Sequence, residues 1–162
     1  MLILNRWLDY LNENKIQYSH SLHRRAETAL QTAAAERVPP HDLAKTVVYA
    51  ADNGFGLAVV PADELVDLPE LARLLGSTCM RLAEEGELAE IFPDCELGAM
   101  PPFGQPYKMP VLLDTGLAAR AFIAFAIGTH SDVVRMSVAD YIRLARPLVG
   151  GLTLNHTLRV SL

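Results

Sequence analysis

The chain has 162 residues, which suits one domain with a sizeable core. Hydrophobic residues make up 51% and charged residues 20%, an ordinary globular composition, and no apolar run approaches the ~20 residues of a membrane span. The formal net charge of -5 argues against broad electrostatic coating of nucleic acid, which needs a basic face. It still allows one local basic patch, for which the candidates are Arg24, Arg25, Arg37, Lys45 and Lys108.

The N-terminal residues and the cysteines both favour a cytoplasmic location. Met1-Leu2-Ile3-Leu4 is too short for the core of a signal peptide, and Asn5-Arg6 interrupts it. The two cysteines, Cys79 and Cys95, form no CxxC pair, so we expect two free thiols and no zinc site. No cofactor is predicted.

Apolar periodicity predicts the elements of the first half of the chain. They are an amphipathic helix over residues 4–11, a strand over 16–22, a helix over 26–34, strands over 46–51 and 57–60, a helix over 69–75, a strand over 79–82 and a helical turn over 84–91. Thr28 or Glu27 lies near the start of the second helix, and Asp67 can cap the helix that Gly76 ends. The glycine-containing turn over 52–56 predicts a hairpin between the two strands that flank it.

The second half begins with a proline-rich and glycine-rich segment, Pro93 to Pro110, which we expect to be a shaped loop. Buried strands are predicted over 111–113, 121–127 and 133–136. Ser137 and Asp140 have the spacing of a capping box for the helix that follows, and Pro147 closes that helix. We therefore expect a domain over residues 1–147 and an extension over 148–162, whose packing the sequence does not define.

Helices and strands are mixed, and several strands are joined by hairpins or short links. This favours one α+β domain with a mainly antiparallel or mixed sheet. Neither regular βαβ alternation nor a glycine-rich turn from strand to helix is present, so a Rossmann or P-loop nucleotide-binding domain is not expected.

Lys45 is unusual because it stands at the beginning of an apolar strand, Ala44 to Ala50. Such a lysine can extend its charge to water, which is the common behaviour, or it can point into a pocket with a lowered pKa. The loop from Gly98 to Gly104 could present backbone N–H groups to a carbonyl oxygen, or it could be a rigid connecting turn. His130, in Gly128-Thr129-His130-Ser131, could act as a base, a donor or an orienting group, or it could be a turn histidine.

Standard hydrolase and metal motifs are absent from the sequence. Ser131 lies beside His130, but there is no G-x-S-x-G elbow and no H-E-x-x-H. His20 and His23 are three residues apart without evident partner ligands, so they do not predict a metal site.

Four stretches, in order, resemble the YbaK family of aminoacyl-tRNA deacylases, which are related to the editing domain of bacterial prolyl-tRNA synthetases. The resemblance runs from about Gln17 to Pro147. The stretches are His23-Arg24-Arg25-Ala26-Glu27-Thr28-Ala29, Ala44-Lys45-Thr46-Val47-Val48, Gly98-Ala99-Met100-Pro101-Pro102 and Gly128-Thr129-His130 with Arg135-Met136-Ser137.

The resemblance implies a strongly curved sheet flanked by helices, and a trans-editing enzyme that hydrolyses the ester of a small, wrongly attached amino acid at a tRNA 3′ end. It implies that Lys45 and His130 are catalytic. It implies that the Gly98 to Pro102 backbone holds the carbonyl, and we expect Lys45 to contact the terminal ribose or phosphate and the aminoacyl group. The substrate-binding residues that it implies are Leu30, Thr46, Gly98, Ala99, Met100, Pro102, Gly128 and Thr129. The implied partners are the acceptor end of aminoacyl-tRNA and a synthetase, and neither a membrane nor a metal is implied.

The chain departs from the family pattern at the residue after the lysine. The branch that clears alanine from tRNA(Pro) tends to carry Asn after the lysine, whereas this chain has Thr46, so alanine specificity does not follow from the resemblance. Two other functions remain open: a non-catalytic module that binds tRNA or a synthetase, and a hydrolase or binder of a small acyl metabolite. The sequence does not decide the amino acid, the tRNA or the oligomeric state.

Overall fold

A computed structural model describes the backbone of residues 3–161 and the side chains of residues 3–158. Seven helices and eight strands lie in this range, with short 3-10 turns at Pro40–Asp42 and Gln105–Tyr107. The elements in chain order are α1 Ile3–Glu13, β1 Tyr18–Leu22, α2 Ala29–Glu36, β2 Ala44–Ala51, β3 Gly54–Pro61, α3 Leu68–Leu75, β4 Met80–Leu82, α4 Glu85–Ile91, β5 Val111–Asp114, α5 Thr115–Ala118, β6 Phe122–Ala126, β7 Asp132–Ser137, α6 Val138–Ala145, β8 Leu148–Gly150 and α7 Leu154–Ser161.

The helix ends are set by local polar groups that satisfy free backbone N–H groups. The hydroxyl of Thr28 accepts the N–H of Gln31, whose side chain returns the bond, so α2 begins with a complete capping box. Asp67 and Ser137 cap α3 and α6 by accepting the backbone N–H of Glu70 and of Asp140. Gly76 ends α3 in the left-handed conformation with φ of +62°, as its position predicted.

The strands form two sheets. The first has the order β1-β7-β6 and is antiparallel, and the second has the order β4-β2-β3-β5-β8. In the second sheet β4, β2 and β3 pair antiparallel, whereas β3, β5 and β8 pair parallel. A single parallel bridge between Leu43 and Ala124 joins the two sheets.

The largest hydrophobic cluster fills the space between the sheets, because alternate residues of a strand point to opposite faces. Leu57 and Val59 of β3 belong to this cluster, while Ala58 and Val60 pack on the other face with Leu71 of α3. Helix α2 packs through Ala33 on a third, smaller cluster, with Leu43, Ala62, Ala124 and Val133. The point where the sheets meet therefore lies beside α2 and the beginning of β2.

The mixed α+β architecture is confirmed, and so is the β2–β3 hairpin. The strongly curved sheet is not confirmed, because the strands divide between two sheets that only one bridge connects. The residues after Pro147 join the larger sheet: β8 pairs with β5, and Leu152 is fully buried. The N–H of Leu152 donates to the buried carboxylate of Asp114 at 3.0 Å, which fixes this connection.

Candidate active site

A narrow cleft opens at the junction of the two sheets. Helix α2, the beginning of β2, the end of β6 and the loops around residues 98 and 130 form its walls. Its lining residues are Thr28, Ala29, Thr32, Leu43, Ala44, Lys45, Thr46, Gly98, Met100, Phe125, Ala126 and His130. The space open to the centre of a water molecule is about 20 Å³, and one water needs roughly 10–15 Å³ on this measure. The cleft therefore admits only a small group without rearrangement.

Lys45 borders this cleft and is neither fully exposed nor fully buried. Burial lowers the pKa of its ammonium group, and the carboxylates of Asp63 and Glu64 oppose this shift. No described residue forms a hydrogen bond or a close ion pair with the ammonium group of Lys45. The cation is thus held next to the cleft without a committed partner.

Thr46 projects from the face of β2 that also carries Ala44 and Val48, two members of the large core cluster. Met100 and Phe125 belong to the same cluster and also line the cleft, so the Thr46 side chain lies on the cleft side of the strand. Its hydroxyl has no hydrogen-bond partner within the part of the chain that the structure describes.

The loop at Gly98 keeps two backbone N–H groups available. Gly98 has φ of +87°, a conformation that favours glycine, and its N–H meets only the sulfur of Met100 at 3.3 Å. The N–H of Ala99 is already used, because it donates to the carbonyl of Glu96 at 3.0 Å. The N–H of Met100 has no partner among the described residues. Gly98 and Met100, rather than Ala99, can therefore donate to a carbonyl oxygen.

His130 connects three loops beside the cleft and is almost fully buried. Its Nε2 lies 2.6 Å from the carbonyl oxygen of Leu97, and since a carbonyl only accepts, Nε2 carries a proton. Its backbone N–H donates to Glu96 at 2.8 Å, and its carbonyl accepts from Ala26 and His23. This arrangement fits an orienting role, because the proton-bearing nitrogen is already engaged.

Glu96 remains charged within this network. Burial tends to raise the pKa of its carboxyl, but bonds from Arg25 and from the His130 N–H outweigh burial and lower the pKa. Arg25 contacts Glu96 at 2.8 Å and also Glu27 at 2.7 Å, so it closes the network at the protein surface.

Five of the expected substrate-binding residues do not line the cleft. Leu30 is 53% exposed on α2, and at 100° per residue its side chain points away from Thr28, Ala29 and Thr32. Ala99, Pro102, Gly128 and Thr129 instead support the surrounding loops, as their contacts show. The Ala99 carbonyl accepts from Gly128 N–H at 2.8 Å, the Pro102 carbonyl from Tyr141 at 2.7 Å, and Thr129 donates to Asp132 at 2.6 Å.

Sequence reasoning placed α2 at the pocket wall through Leu30, whereas the residues of this segment that line the cleft are Thr28, Ala29 and Thr32. Thr28 was expected near the start of the helix and in a family-like stretch, but Thr32 was not identified. A signal was present, since residues 28, 29 and 32 have the spacing of one helical face, and Thr32 is a polar residue within a run of alanines.

The candidate cations are not gathered into one patch. Arg24 and Arg25 line an open groove beside α2 with Gln31, Ala34 and Ala35, whereas Lys45 lies at the cleft. Arg37 and Lys108 line neither of these depressions. The described part of the chain therefore offers a small basic area next to the cleft instead of a basic face.

The two N-terminal histidines each bind a carboxylate. His20 contacts Asp132 at 2.6 Å, and His23 contacts Glu36 at 2.5 Å. Within the described residues, no group of three or more His, Cys, Asp or Glu side chains could hold a metal ion. Both cysteines are free, as expected. Over the described range, no helix is long and apolar enough to span a membrane.

A roomier depression of about 320 Å³ lies at the far end of the β2–β3 hairpin. Its only carboxylate is Asp52, whose oxygens accept from Thr78 and Cys79. These bonds, with the backbone bond to Thr78 the strongest contribution, lower the pKa of Asp52 to about 2. The Asp52 carboxylate therefore stabilises the adjacent turn. The narrow cleft remains the candidate active site.

Known families and solved structures include several that this chain is similar to. The family model described as "Aminoacyl-tRNA editing domain" matches residues 23–144. The multifunctional Ser/Thr-tRNA deacylase ProXp-y of Escherichia coli K12 is 37% identical over 96 residues, which span 59% of this chain and 57% of that protein. The proline–tRNA ligase of Thermosipho africanus is 30% identical over 90 residues, 56% of this chain and 16% of the ligase.

A crystal structure of a candidate trans-editing enzyme for prolyl-tRNA synthetase has the same fold. Its TM-score is 0.81 at 23% identity, and the superposition covers 93% of this chain and 96% of that one. The superposition extends beyond the family match, so the shared fold includes most of the chain.

Proposed function

Because the chain belongs to the family of aminoacyl-tRNA editing domains, we propose that it hydrolyses the ester between a wrongly attached amino acid and the terminal ribose of a tRNA. One observation supports this most strongly: Lys45, the loop at Gly98 and Met100, and His130 all line one narrow cleft. Residues far apart in the chain come together there, each with chemistry that ester hydrolysis can use.

In the proposed reaction the N–H groups of Gly98 and Met100 bind the ester carbonyl oxygen and stabilise its developing negative charge. Lys45 contacts the ribose or its phosphate and positions the acceptor end. A water oxygen attacks the carbonyl carbon, the bond to the ribose oxygen breaks, and that oxygen takes the proton that the water loses. The products are the free amino acid and the uncharged tRNA.

The attacking water is activated by the substrate in this proposal. The side chains that line the cleft include no cysteine and no carboxylate, and the bond from Nε2 to Leu97 holds the ring of His130 in place. A hydroxyl of the terminal ribose can take the role of base or relay. His130 then acts as a positioning residue, because its bonds to Leu97 and Glu96 fix the loop that carries Gly98.

We also propose that the amino acid is small and carries a hydroxyl group. The cleft excludes large side chains by its size, and a pocket rejects larger groups more strongly than smaller ones. The relative from Escherichia coli is named a Ser/Thr-tRNA deacylase. Thr46 stands in the cleft with an unbonded hydroxyl, which suits a polar amino acid.

The test is a deacylation panel with Ser, Thr, Ala and Pro esters on tRNA(Pro) and on the cognate tRNA of each amino acid. We expect rapid release of seryl and threonyl groups from the wrong tRNA. Equal, slow release of every ester would instead indicate a non-catalytic binding module. Hydrolysis of small acyl esters without any response to tRNA would indicate a metabolite hydrolase.

Lys45→Ala, measured on the same panel, tests the role of the lysine. Loss of one preorganised electrostatic contact typically lowers a rate by about 10²–10³-fold, and we expect a loss in this range. A variant that deacylates as fast as the parent would remove Lys45 from the mechanism. If the variant is slower, circular dichroism shows whether it is still folded.

A further inference from the structure

Thr32 is a polar residue in the wall of the cleft where α2 is otherwise built from alanine. Its side chain is 6% exposed, and the cleft is the space that it lines. It lies one helical turn after Thr28 and on the same face, opposite Lys45 and Thr46 of β2. The hydroxyl therefore adds a polar group to the wall that α2 contributes to the cleft.

The Thr32 hydroxyl does not make the hydrogen bond to a backbone carbonyl that is common for a threonine within a helix. The hydroxyl of such a residue often donates to the carbonyl four residues earlier. Here the backbone N–H of Thr32 donates to Thr28 at 2.9 Å, but the hydroxyl has no partner among the described residues. Its oxygen is also not sealed from the cleft, unlike the unpaired polar atoms of Trp7 and Tyr49.

The other two threonines of the cleft differ from Thr32. The Thr28 hydroxyl already accepts the N–H of Gln31 at 3.1 Å, because it caps the helix. Thr46 is less buried than Thr32. Thr32 thus combines the deepest burial with an unbonded hydroxyl.

A buried hydroxyl without a partner is unfavourable unless a ligand or a water bonds to it. A substrate that fills this cleft must make that bond, or it leaves the hydroxyl unpaired. We infer that Thr32 is a specificity-determining residue, whose hydroxyl bonds the side-chain hydroxyl of the amino acid and discriminates against an aliphatic one. This inference rests on the proposed function.

The test compares seryl and 2-aminobutyryl esters on one tRNA, because these amino acids differ only by a hydroxyl in place of a methyl group. The variants are Thr32→Val, Thr32→Ala and Thr32→Ser. We expect the parent and Thr32→Ser to prefer the seryl ester in kcat/KM. Thr32→Val and Thr32→Ala should both reduce that preference by about tenfold, the effect of losing one neutral hydrogen bond.

Two variants without the hydroxyl are used, since valine keeps the shape of the side chain and alanine favours the helix. A result from either variant that folds is sufficient. If the parent is active but Thr32→Val or Thr32→Ala keeps the seryl preference within about twofold, the inference is wrong and the proposed function stands. The inference is also wrong if Thr46→Val alone abolishes the preference, or if the active parent shows none. A parent that hydrolyses no mischarged tRNA overturns the proposed function itself, and the inference with it.

Discussion

Lys45 brings burial and charge into conflict. Removal from water lowers the pKa of its ammonium group, and Asp63 and Glu64 offset only part of this effect. A binding site can tolerate such an unfavourable residue because the substrate supplies the missing partner. A phosphate or an ester oxygen near Lys45 would favour the charged form and restore its pKa.

The first prediction follows from this conflict. Lys45→Met should lower the deacylation rate by about 10²–10³-fold, as expected for Lys45→Ala, and yet raise the free energy of unfolding at neutral pH, by at most about 1 kcal/mol because water still reaches the side chain. This corresponds to a rise of roughly 2–4 °C in Tm for a chain of this size. Thermal unfolding with parallel rate measurements checks both effects.

The pH dependence of the same variant has a defined sign. The parent's folded Lys45 loses its proton below the ordinary pKa of 10.5, so in this window the unfolded chain binds more protons and parental stability rises with pH. The advantage of Lys45→Met should therefore shrink as the pH rises through that window. Lys108→Met serves as the control, because Lys108 is exposed. A Lys45→Met protein with a lower Tm than the parent at neutral pH would contradict the argument.

The loop from Leu97 to Gly104 behaves as one structural element, since bonds to residues 128–130 and to α6 fix its position. Ala99 is tied to Gly128, Leu97 to His130, and Pro102 to the buried hydroxyl of Tyr141. Burial raises the pKa of Tyr141, which keeps its hydroxyl protonated as the donor to Pro102. The free N–H groups of Gly98 and Met100 are thus preorganised before a substrate arrives.

The second prediction compares two glycines with the same backbone requirement. Gly98 and Gly76 have φ of +87° and +62°, and an added Cβ meets no atom closer than 3.4 Å at Gly98 and nothing within 4 Å at Gly76. Alanine at either position should cost about 1–2 kcal/mol. Only Gly98→Ala should also lower kcat, by about tenfold or more, because it shifts the loop that holds the carbonyl.

Gly76→Ala is the matched control, because it imposes similar strain at the end of α3, outside the cleft lining. Chemical denaturation and single-turnover deacylation of the two variants provide the comparison. Similar stability losses with equal losses of kcat would show that the Gly98 loop has no special part in catalysis.

Elements whose signals are local could be predicted from the sequence. The caps at Asp67 and Ser137 and the β2–β3 hairpin depend on residues within a few positions of one another, and the structure confirms them. The parallel pairing of β3, β5 and β8 depends on contacts between distant residues, which periodicity does not encode. For the same reason the division into two sheets was not predicted.

The candidate site shows the same limit. Lys45, Thr46, Gly98, Met100 and His130 were expected near one another, and they line one cleft. Leu30 was expected there as well, but the rotation of α2 directs Thr32 to the cleft and Leu30 to solvent. Which face of a short, alanine-rich helix is buried depends on the surface beneath it, and the sequence of α2 carries only a weak amphipathic pattern.

On the scale of the whole molecule, the acidic charge limits how tRNA can approach. A chain with a formal net charge of -5 cannot attract RNA over its whole surface, so favourable contacts must be concentrated near the cleft. The groove beside α2 is suited to this, since its small residues Ala34 and Ala35 leave room next to Arg24 and Arg25. Arg25 is committed to Glu27 and Glu96, whereas Arg24 is exposed and has no partner among the described residues.

The third prediction is that Arg24 contacts a phosphate of the acceptor end. Arg24→Ala should weaken tRNA binding and reduce the slope of log K against log salt concentration by about 0.7–0.9, the value for one phosphate contact. It should raise KM more than it lowers kcat, because the contact lies outside the cleft where the ester is cleaved. Binding of uncharged tRNA across a salt series, together with steady-state deacylation, measures these quantities.

Arg73→Ala is the control for Arg24→Ala. Arg73 is equally a surface arginine, but it is paired with Glu70 on α3, which packs on the face of the larger sheet opposite the main core. It removes the same formal charge, so a general effect of net charge would appear in both variants. An unchanged salt slope in Arg24→Ala, or the same change in both variants, would place the RNA elsewhere. A change in Arg24→Ala alone would orient the acceptor end along α2, with its terminal ribose directed towards Lys45.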